Sequence, residues 1–162
     1  MKTSKQYIQE KLIINKDYRE SKIVVKSFDE LRKIIEERYD KLGPGTEQKP
    51  IDFNDIDVSN IDSFCDKYDT GIFEGTKFKY IDISEWDVSN VTNMSFMFYD
   101  CRYLNPDVSN WDVSNVINMD YMFGDCESFN QDISNWDVSK VKYKIEMFDN
   151  CPIKDEYKPK FK

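Results

Sequence analysis

The chain has 162 residues, 40 % of them hydrophobic and 15 % aromatic, which is enough apolar surface for one domain with a core. It contains no histidine, which removes the commonest general base and metal ligand and argues against an ordinary hydrolase or transferase. Residues 78–137 carry 11 acidic residues against two basic ones. A block of this charge repels nucleic acid and anionic lipid and suits basic protein surfaces.

Residues 1–50 predict an N-terminal α+β cap. Leu12–Ile14 and Ile23–Val25 are short β-prone runs with a turn sequence between them, which predicts a hairpin. A Ser-Phe-Asp-Glu sequence then has the spacing of a capping box, and apolar residues follow at helical intervals. This predicts a helix over residues 28–42, ended by a Gly-Pro-Gly sequence. Such a cap would cover the exposed end of the repeats that follow.

Residues 51–151 contain a repeated sequence unit with a constant 25-residue step over most of its length. Trp-Asp-Val-Ser recurs at Trp86, Trp111 and Trp136, and Met-Phe-x-x-Cys recurs at the same step. A fixed period of this length is typical of a solenoid, in which each unit buries its apolar face against its neighbours. We therefore predict an α/β repeat solenoid, a leucine-rich-repeat-like stack of about four 25-residue coils with a parallel sheet. Each coil is predicted to hold one short strand and one short helical turn.

The four predicted coils span roughly 51–76, 77–101, 102–126 and 127–151, and the first one is longer than the repeat. Its Ile-Asp-Val-Ser-Asn sequence matches the tryptophan motif, but the next apolar marker follows five residues late. This predicts a five-residue insertion within Asp62–Gly71, and insertions into repeats often lie on the binding face. Residues 152–162 form a basic C-terminal tail.

Several columns of residues in register across the coils are predicted to be structural. The Cys101, Cys126 and Cys151 column lacks the paired spacing of a zinc site, and we interpret it as a buried ladder of reduced thiols. The methionine and phenylalanine columns are expected in the core. The tryptophan column is expected to be mostly buried, with a half-exposed platform as the alternative. No catalytic residue, metal site or cofactor site is predicted, because no phosphate-cradling or nucleophile motif occurs.

Two columns of aspartates are the most informative polar feature. Like charges about 5 Å apart repel by about 0.8 kcal/mol in water, so something should offset this repulsion. For the second column, Asp87, Asp112 and Asp137, we expect an Asx-turn in which each carboxylate accepts a backbone N–H. For the first column, Asp82, Asp107 and Asp132, we expect a role in binding. Nearby polar residues and the acids of the insertion are expected to share this role. The predicted partner-binding residues are Asp62, Asp66, Asp69, Asp82, Glu85, Asp107, Asn110, Asp132 and Asn135.

Three sequence pieces closely resemble the BspA-like leucine-rich repeats, in the variant abundant in mycoplasma surface lipoproteins. They are D-V-S-N-V-T-N-M at Asp87–Met94, the repeated M-F-x-x-C, and F-N-Q-D-I-S-x-W-D-V-S at Phe129–Ser139. The resemblance covers about residues 56–151. It implies a curved, non-enzymatic, protein-binding solenoid, and many members of that family are secreted or lipid-anchored and linked to adhesion.

Our leading hypothesis is a non-enzymatic cytoplasmic module, an inhibitor or adaptor that docks a basic protein surface through its acidic face. A sharper version is a phage or mobile-element inhibitor of a bacterial defence complex, whose carboxylates imitate a phosphate backbone. The alternative is a bacterial surface adhesin. The cytoplasmic expectation depends on the absence of a secretory leader and of any apolar run long enough to span a membrane. Self-association through the C-terminal coil also stays open.

Overall fold

The structure is a computed structural model that describes residues 22–161. Its regular elements are short, apart from one helix. They are β1 (Ile23–Val24), α1 (Phe28–Leu42), β2 (Ile51–Asp52), β3 (Ile56–Asp57), β4 (Ile81–Asp82) and a 3₁₀ helix (Asp155–Tyr157). β1 pairs in parallel with β3, and β2 pairs in parallel with β4. Most of the remaining chain is turn, ordered by bonds between segments that are distant in sequence.

α1 has the range that the sequence predicts and is capped as expected. The Ser27 hydroxyl accepts the Glu30 N–H at 3.2 Å, and the Glu30 carboxylate accepts the Lys26 N–H at 2.8 Å. This reciprocal bonding satisfies donors that the helix itself cannot use. One face of α1 packs on the repeats, because Leu31 and Ile35 are buried in the same apolar core as the coils.

A nearly buried ion pair joins α1 to the first coil. The Arg38 guanidinium donates to both carboxylate oxygens of Asp55, at 2.7 and 2.6 Å, and lies over the Phe53 ring. The two side chains are 18 % and 11 % exposed. A bidentate pair of this kind fixes orientation as well as distance.

The predicted hairpin falls partly outside the described residues, because Leu12–Ile14 lies there. The strand that is described, β1, is paired in parallel, Ile23 with Ile56 and Val24 with Asp57. The hairpin therefore stays a prediction, as does the division into a cap at 1–50, coils at 51–151 and a tail at 152–162.

Successive segments of the repeat lie side by side in parallel. Bridges join Ser63 to Asn93, Asn93 to Asn118, and Asn118 to Tyr143. The last two bridges follow the 25-residue step, whereas the first is longer by five, which confirms the five-residue insertion in the first coil. The assignment of this stack to the leucine-rich-repeat class, with a continuous parallel sheet, stays a prediction.

Aromatic columns fill the centre of the stack. The rings of Phe73, Phe98, Phe123 and Phe148 stack with neighbouring centroids 5.6, 5.4 and 5.8 Å apart. The three repeat tryptophans are only 4–5 % exposed, which confirms that their column is mostly buried. Each tryptophan Nε1–H donates to the carbonyl of a residue in the preceding coil, so burial leaves no indole donor unsatisfied.

The segment predicted as a helical turn in each coil is instead a run of tight turns. In the second coil two i→i+3 bonds close the turns Met94–Met97 and Phe98–Cys101. The third residues of these turns, Phe96 and Asp100, have φ of +57° and +54°, as in type II turns. A continuous helix cannot contain such residues, so the helical prediction is wrong here. The apolar i, i+3 spacing is shared by helices and by consecutive turns, which explains the error.

Within residues 22–161, no helix combines the length and the apolar character needed to cross a lipid bilayer.

Candidate functional site

The first aspartate column is built by a repeated Asx-turn. Oδ1 of Asp82, Asp107 and Asp132 accepts the backbone N–H of the serine two residues later, at 3.0–3.1 Å. The hydroxyls of Ser84 and Ser109 also donate to the same oxygens at 2.7 Å. An aspartate that bonds its own backbone in this way closes a tight corner. The carboxylates are therefore held in place, one in each of coils 2 to 4.

The second aspartate column uses the same turn. Oδ1 of each aspartate accepts the N–H of the following serine at 3.0–3.1 Å, which confirms the Asx-turn predicted there. Both columns also extend into the first coil, where Asp57 bonds Ser59 and Asp52 bonds Asn54. The sequence prediction left these two acids out of the columns. Each of them precedes its counterpart in the second coil by one repeat step plus the insertion. This spacing could have assigned them to the columns from the sequence.

Hydrogen bonds favour the ionised form of these carboxylates. The serine two residues later lowers the pKa of Asp132 and that of Asp112 by side-chain and backbone bonds. At Asp82 burial raises the pKa, but the bonds from Asn54 and Ser84 together outweigh it, so the net shift is downward. Asp82, Asp112 and Asp132 therefore stay negative at neutral pH and into mildly acidic conditions.

The first column becomes more accessible along the stack. Asp82 is half-buried, whereas Asp107 and Asp132 are exposed. In the described part of the chain, the hydrogen bonds of Asp107 and Asp132 involve Oδ1 alone. Their Oδ2 atoms can thus accept bonds from a cationic partner without breaking the turn.

The residues just before the tryptophans lie at the same corner as the first column. Glu85, Asn110 and Asn135 are all exposed. Asn135 Nδ2 donates to the Ser109 carbonyl at 3.2 Å, and the Glu85 N–H donates to Asn54 Oδ1 at 2.9 Å. These bonds join neighbouring coils, so this group of predicted site residues also helps to hold the stack.

The insertion forms a small closed loop. Cys65 and Gly71 pair in antiparallel fashion across its base, and a Cβ on Gly71 would overlap the carbonyl group of Phe96. Asp66 Oδ1 accepts the N–H groups of Tyr68 and Thr70, at 2.8 and 3.0 Å. The predicted binding residue Asp66 is therefore also the residue that shapes the loop.

The remaining acids of the insertion, Asp62 and Asp69, are exposed. Asp69 has φ of +59° at the tip of the loop, beside Tyr68, which is 75 % exposed. Across residues 22–161, no hydrogen bond or ion pair joins these acids to the first aspartate column. The predicted site residues thus form two groups, one at the aspartate corner and one at the insertion loop.

A partly exposed aromatic group was not singled out from the sequence. The Phe96 ring stacks on Tyr121 with centroids 4.9 Å apart, and Tyr99 meets both rings edge-on at 5.7 and 6.1 Å. Phe96 and Tyr121 occupy equivalent positions of the repeat, so their register was readable from the sequence. Their exposure was not readable, because it depends on positive φ at both residues.

The cysteine column is structural in its geometry. The thiols of Cys101 and Cys126 are buried and donate to the carbonyls of Phe73 and Phe98 at 2.9 Å. Burial raises the pKa of the Cys101 thiol to about 12 and also raises that of Cys126. Cys151 is half-buried. The part of the chain that the structure describes contains no group of three or more His, Cys, Asp or Glu that could hold a metal ion.

Comparison with known proteins gives one family match. The model of a family described as "Mycoplasma protein of unknown function, DUF285" matches residues 67–156, just over half of the chain. The match covers the second to fourth coils and begins inside the insertion loop. No curated protein and no solved structure matches the chain.

Proposed function

The chain belongs to the DUF285 family, and on this premise we propose that it is a non-enzymatic binding module for a basic protein surface. The first aspartate column is its contact face. The single observation that supports this most is the pair of exposed carboxylates at Asp107 and Asp132, each fixed by Oδ1 and accessible at Oδ2. We further propose that its repeats are of the BspA-like leucine-rich type.

A row of fixed carboxylates is suited to lysine- and arginine-rich partners. Charge-assisted hydrogen bonds are about twice as strong as neutral ones, and a side chain already held in place loses little entropy on binding. Equivalent residues in adjacent coils are about 4.8 Å apart, the spacing of neighbouring strands. A docked cationic surface would relieve the repulsion along the row, and its approach would be accelerated by the acidic block.

The finer form of the proposal is a decoy inhibitor whose carboxylates imitate a phosphate backbone. One strand of duplex DNA carries a phosphate about every 3.4 Å, while one coil adds two column aspartates about every 4.8 Å. The imitation would thus be of charge density rather than of spacing. A phage or mobile-element inhibitor of a bacterial defence complex has this role, and an adaptor on a basic protein has the same contact chemistry.

A pair of matched triple variants tests the proposal. Asp82→Asn, Asp107→Asn and Asp132→Asn together remove three charges, and each asparagine can still accept the N–H of the Asx-turn. The control carries Asp87→Asn, Asp112→Asn and Asp137→Asn, with the same charge change and the same turn chemistry in the second column. Both are used for affinity capture from a lysate of the bacterium that encodes the protein and, separately, from a surface-protein extract of its host, at about 50 and about 200 mM salt.

We expect the unaltered chain to retain its partners at low salt and to lose them at higher salt. The first-column variant should fail to retain the same partners even at low salt. The second-column variant should retain them. Equal loss from both variants would indicate net charge alone and would contradict the first column as the contact face. Unchanged capture by the first-column variant would contradict the proposal, and capture of host surface proteins instead would favour the adhesin hypothesis.

A further inference from the structure

Among the described residues, the fourth coil presents four backbone N–H groups for which no acceptor is found. In the third coil, alternate N–H groups donate to carbonyls of the fourth coil at 2.8–2.9 Å: Met119 to Tyr143, Tyr121 to Ile145, Phe123 to Met147, and Asp125 to Asp149. The equivalent donors in the fourth coil, one repeat later, belong to Lys144, Glu146, Phe148 and Asn150. Within residues 22–161 none of these four N–H groups donates a hydrogen bond. We call this row of four donors the coil-4 edge.

All four groups of the coil-4 edge point away from the stack. In a trans peptide the C=O and N–H point in opposite directions. The Tyr143 carbonyl accepts a bond from the third coil, so the Lys144 N–H of the same peptide points outward. The other three peptides repeat this arrangement. An ordinary strand edge alternates N–H and C=O, whereas these four successive outward groups are all donors. One acceptor adjoins the row: the Ile117 carbonyl accepts the N–H groups of Lys142 and Tyr143, so the equivalent carbonyl of the fourth coil, that of Lys142, also faces outward.

A row of four successive donors restricts what can dock on it. A regular β-strand would set N–H against N–H at every second position, which disfavours strand addition. A two-fold dimer through this edge would bring donors against donors. Head-to-tail stacking is opposed at the other end of the molecule, where α1 packs Leu31 and Ile35 into the core and the Tyr39 ring against Phe78. A partner that satisfies the four N–H groups supplies successive acceptors, as carboxylates do.

Carboxylates already accept backbone N–H groups of these turns elsewhere in the molecule. Asp120 Oδ1 accepts the Ile145 N–H at 2.6 Å, and Glu74 Oε2 accepts the Gly71 N–H at 2.8 Å. The turn geometry therefore allows a carboxylate oxygen to approach these donors. An external carboxylate would make the same bond at the coil-4 edge.

The C-terminal segment that contains the coil-4 edge has more lysines than acids. Residues 140–160 carry six lysines against four acids, the reverse of the acidic block before them. Lys142 and Lys144 are exposed, and the Lys144 ammonium lies 5.1 Å from the centroid of the Phe161 ring in the tail. Glu146 is also exposed and is the one acid among the four edge residues. Tyr143 and Ile145, 54 % and 58 % exposed, add apolar surface next to the donors. Lysines, oriented N–H donors and apolar flanks together suit a peptide segment better than a small anion.

We infer that the coil-4 edge is a second docking surface, which binds an extended acidic protein segment whose carboxylates accept the four N–H groups. This surface is independent of the first aspartate column and has the opposite charge preference. The molecule would thus bridge a basic partner at its corner and an acidic partner at its end, as an adaptor does.

Amide NMR of the full chain tests the inference. The ¹⁵N-labelled protein is titrated at low salt with a hexaglutamate peptide, and with a hexaglutamine peptide as the neutral control of the same length. We expect saturable downfield shifts of the Lys144, Glu146, Phe148 and Asn150 amides with glutamate, and none with glutamine. The equivalent amides of the third coil, already bonded, should not move. Shifts confined to lysine side chains, or no shift of the four amides, would overturn the inference.

Two paired variants and one dilution series complete the test. Lys142→Gln with Lys144→Gln should weaken hexaglutamate binding by about three- to five-fold, because each exposed charge contributes a fraction of a kcal/mol. Lys33→Gln with Lys41→Gln on α1 removes the same charge elsewhere and should leave binding unchanged. Equal weakening by both pairs would overturn the inference. Shifts of the four amides that depend on protein concentration alone would assign the edge to a second copy and would also overturn it.

Discussion

Gly71 lies directly against the backbone of Phe96, so closely that a Cβ on Gly71 would overlap the Phe96 carbonyl group. The obstruction is backbone, which cannot rotate away as a side chain can. This contact closes the insertion loop onto the second coil at the point where the regular repeat register resumes. The length of the insertion and the fit of the first two coils therefore depend on one residue without a side chain.

Gly71→Ala should destabilise the fold by about 2–4 kcal/mol, since either the loop or the second coil must move to admit the methyl group. Gly75→Ala is the matched control: Gly75 has φ of +62°, but a Cβ there meets nothing within 4 Å. The control should cost about 1 kcal/mol from backbone strain alone. Urea unfolding measures both, and equal losses would show that the Phe96 contact does not matter.

Arg38→Met should loosen α1 from the first coil. The variant keeps most of the stem that lies over Phe53 but leaves Asp55 nearly buried without its partner. We expect a loss of about 1–3 kcal/mol in the free energy of unfolding, the cost of an unpaired, mostly desolvated polar group. Arg32→Met is the control, because Arg32 pairs with Glu36 on the exposed side of the helix. Its loss should stay below about 0.5 kcal/mol, and a loss as large as that of Arg38→Met would contradict the prediction.

The thiols should react in an order set by burial. Cys101 and Cys126 are buried and have raised pKa values, about 12 for Cys101, so both stay protonated at pH 8. We expect maleimide labelling followed by mass spectrometry to leave these two unmodified in the folded protein. The half-buried Cys151 should label slowly. All four should label in urea, and fast labelling of Cys126 without denaturant would contradict the buried column.

Acid should weaken the fold through the aspartate turns. The pKa values of Asp112 and Asp132 are lowered in the folded chain by their serine bonds. Such groups contribute stability above the unfolded pKa of about 3.9, and the contribution is lost as pH falls below that value toward the folded pKa. Urea midpoints between pH 6 and pH 3 should fall accordingly. Asp132→Asn should flatten the pH dependence, because asparagine bonds the turn without titrating, and an unchanged slope would contradict this assignment.

Much of the architecture could be predicted because the repeat encodes it directly. The constant step indicated the columns, the late apolar marker in the first coil indicated the insertion, and the capping sequence indicated the range of α1. The turn geometry could not be predicted, because positive φ at Phe96 and Tyr121 leaves no glycine in the sequence to mark it. The coil-4 edge could not be predicted either, because residue types do not indicate the direction in which a peptide N–H points.

The candidate site was predicted in part for the same reason. Register placed Asp82, Asp107 and Asp132 in one row, and the structure gives each of them the same turn. The repeat register did not predict that Asp66 bonds the backbone of its own loop. It also did not predict that the described contacts of the insertion acids include none with the first aspartate column. Those facts depend on how an irregular loop closes, and the loop occurs once in the chain.

The common direction of the four peptides at the coil-4 edge has a consequence for how this protein can change over generations. Among the described residues, the coil-4 edge repeats the row of donors through which the third coil bonds the fourth. Any further unit with the same turns would therefore meet a ready template, and duplication of one unit would lengthen the stack without disturbing α1. The tail, whose Tyr157 carbonyl accepts the Ile133 N–H of the fourth coil, would then follow the new last unit. Each duplication would add one carboxylate to each aspartate column, so the reach of the acidic face is set by copy number rather than by new chemistry.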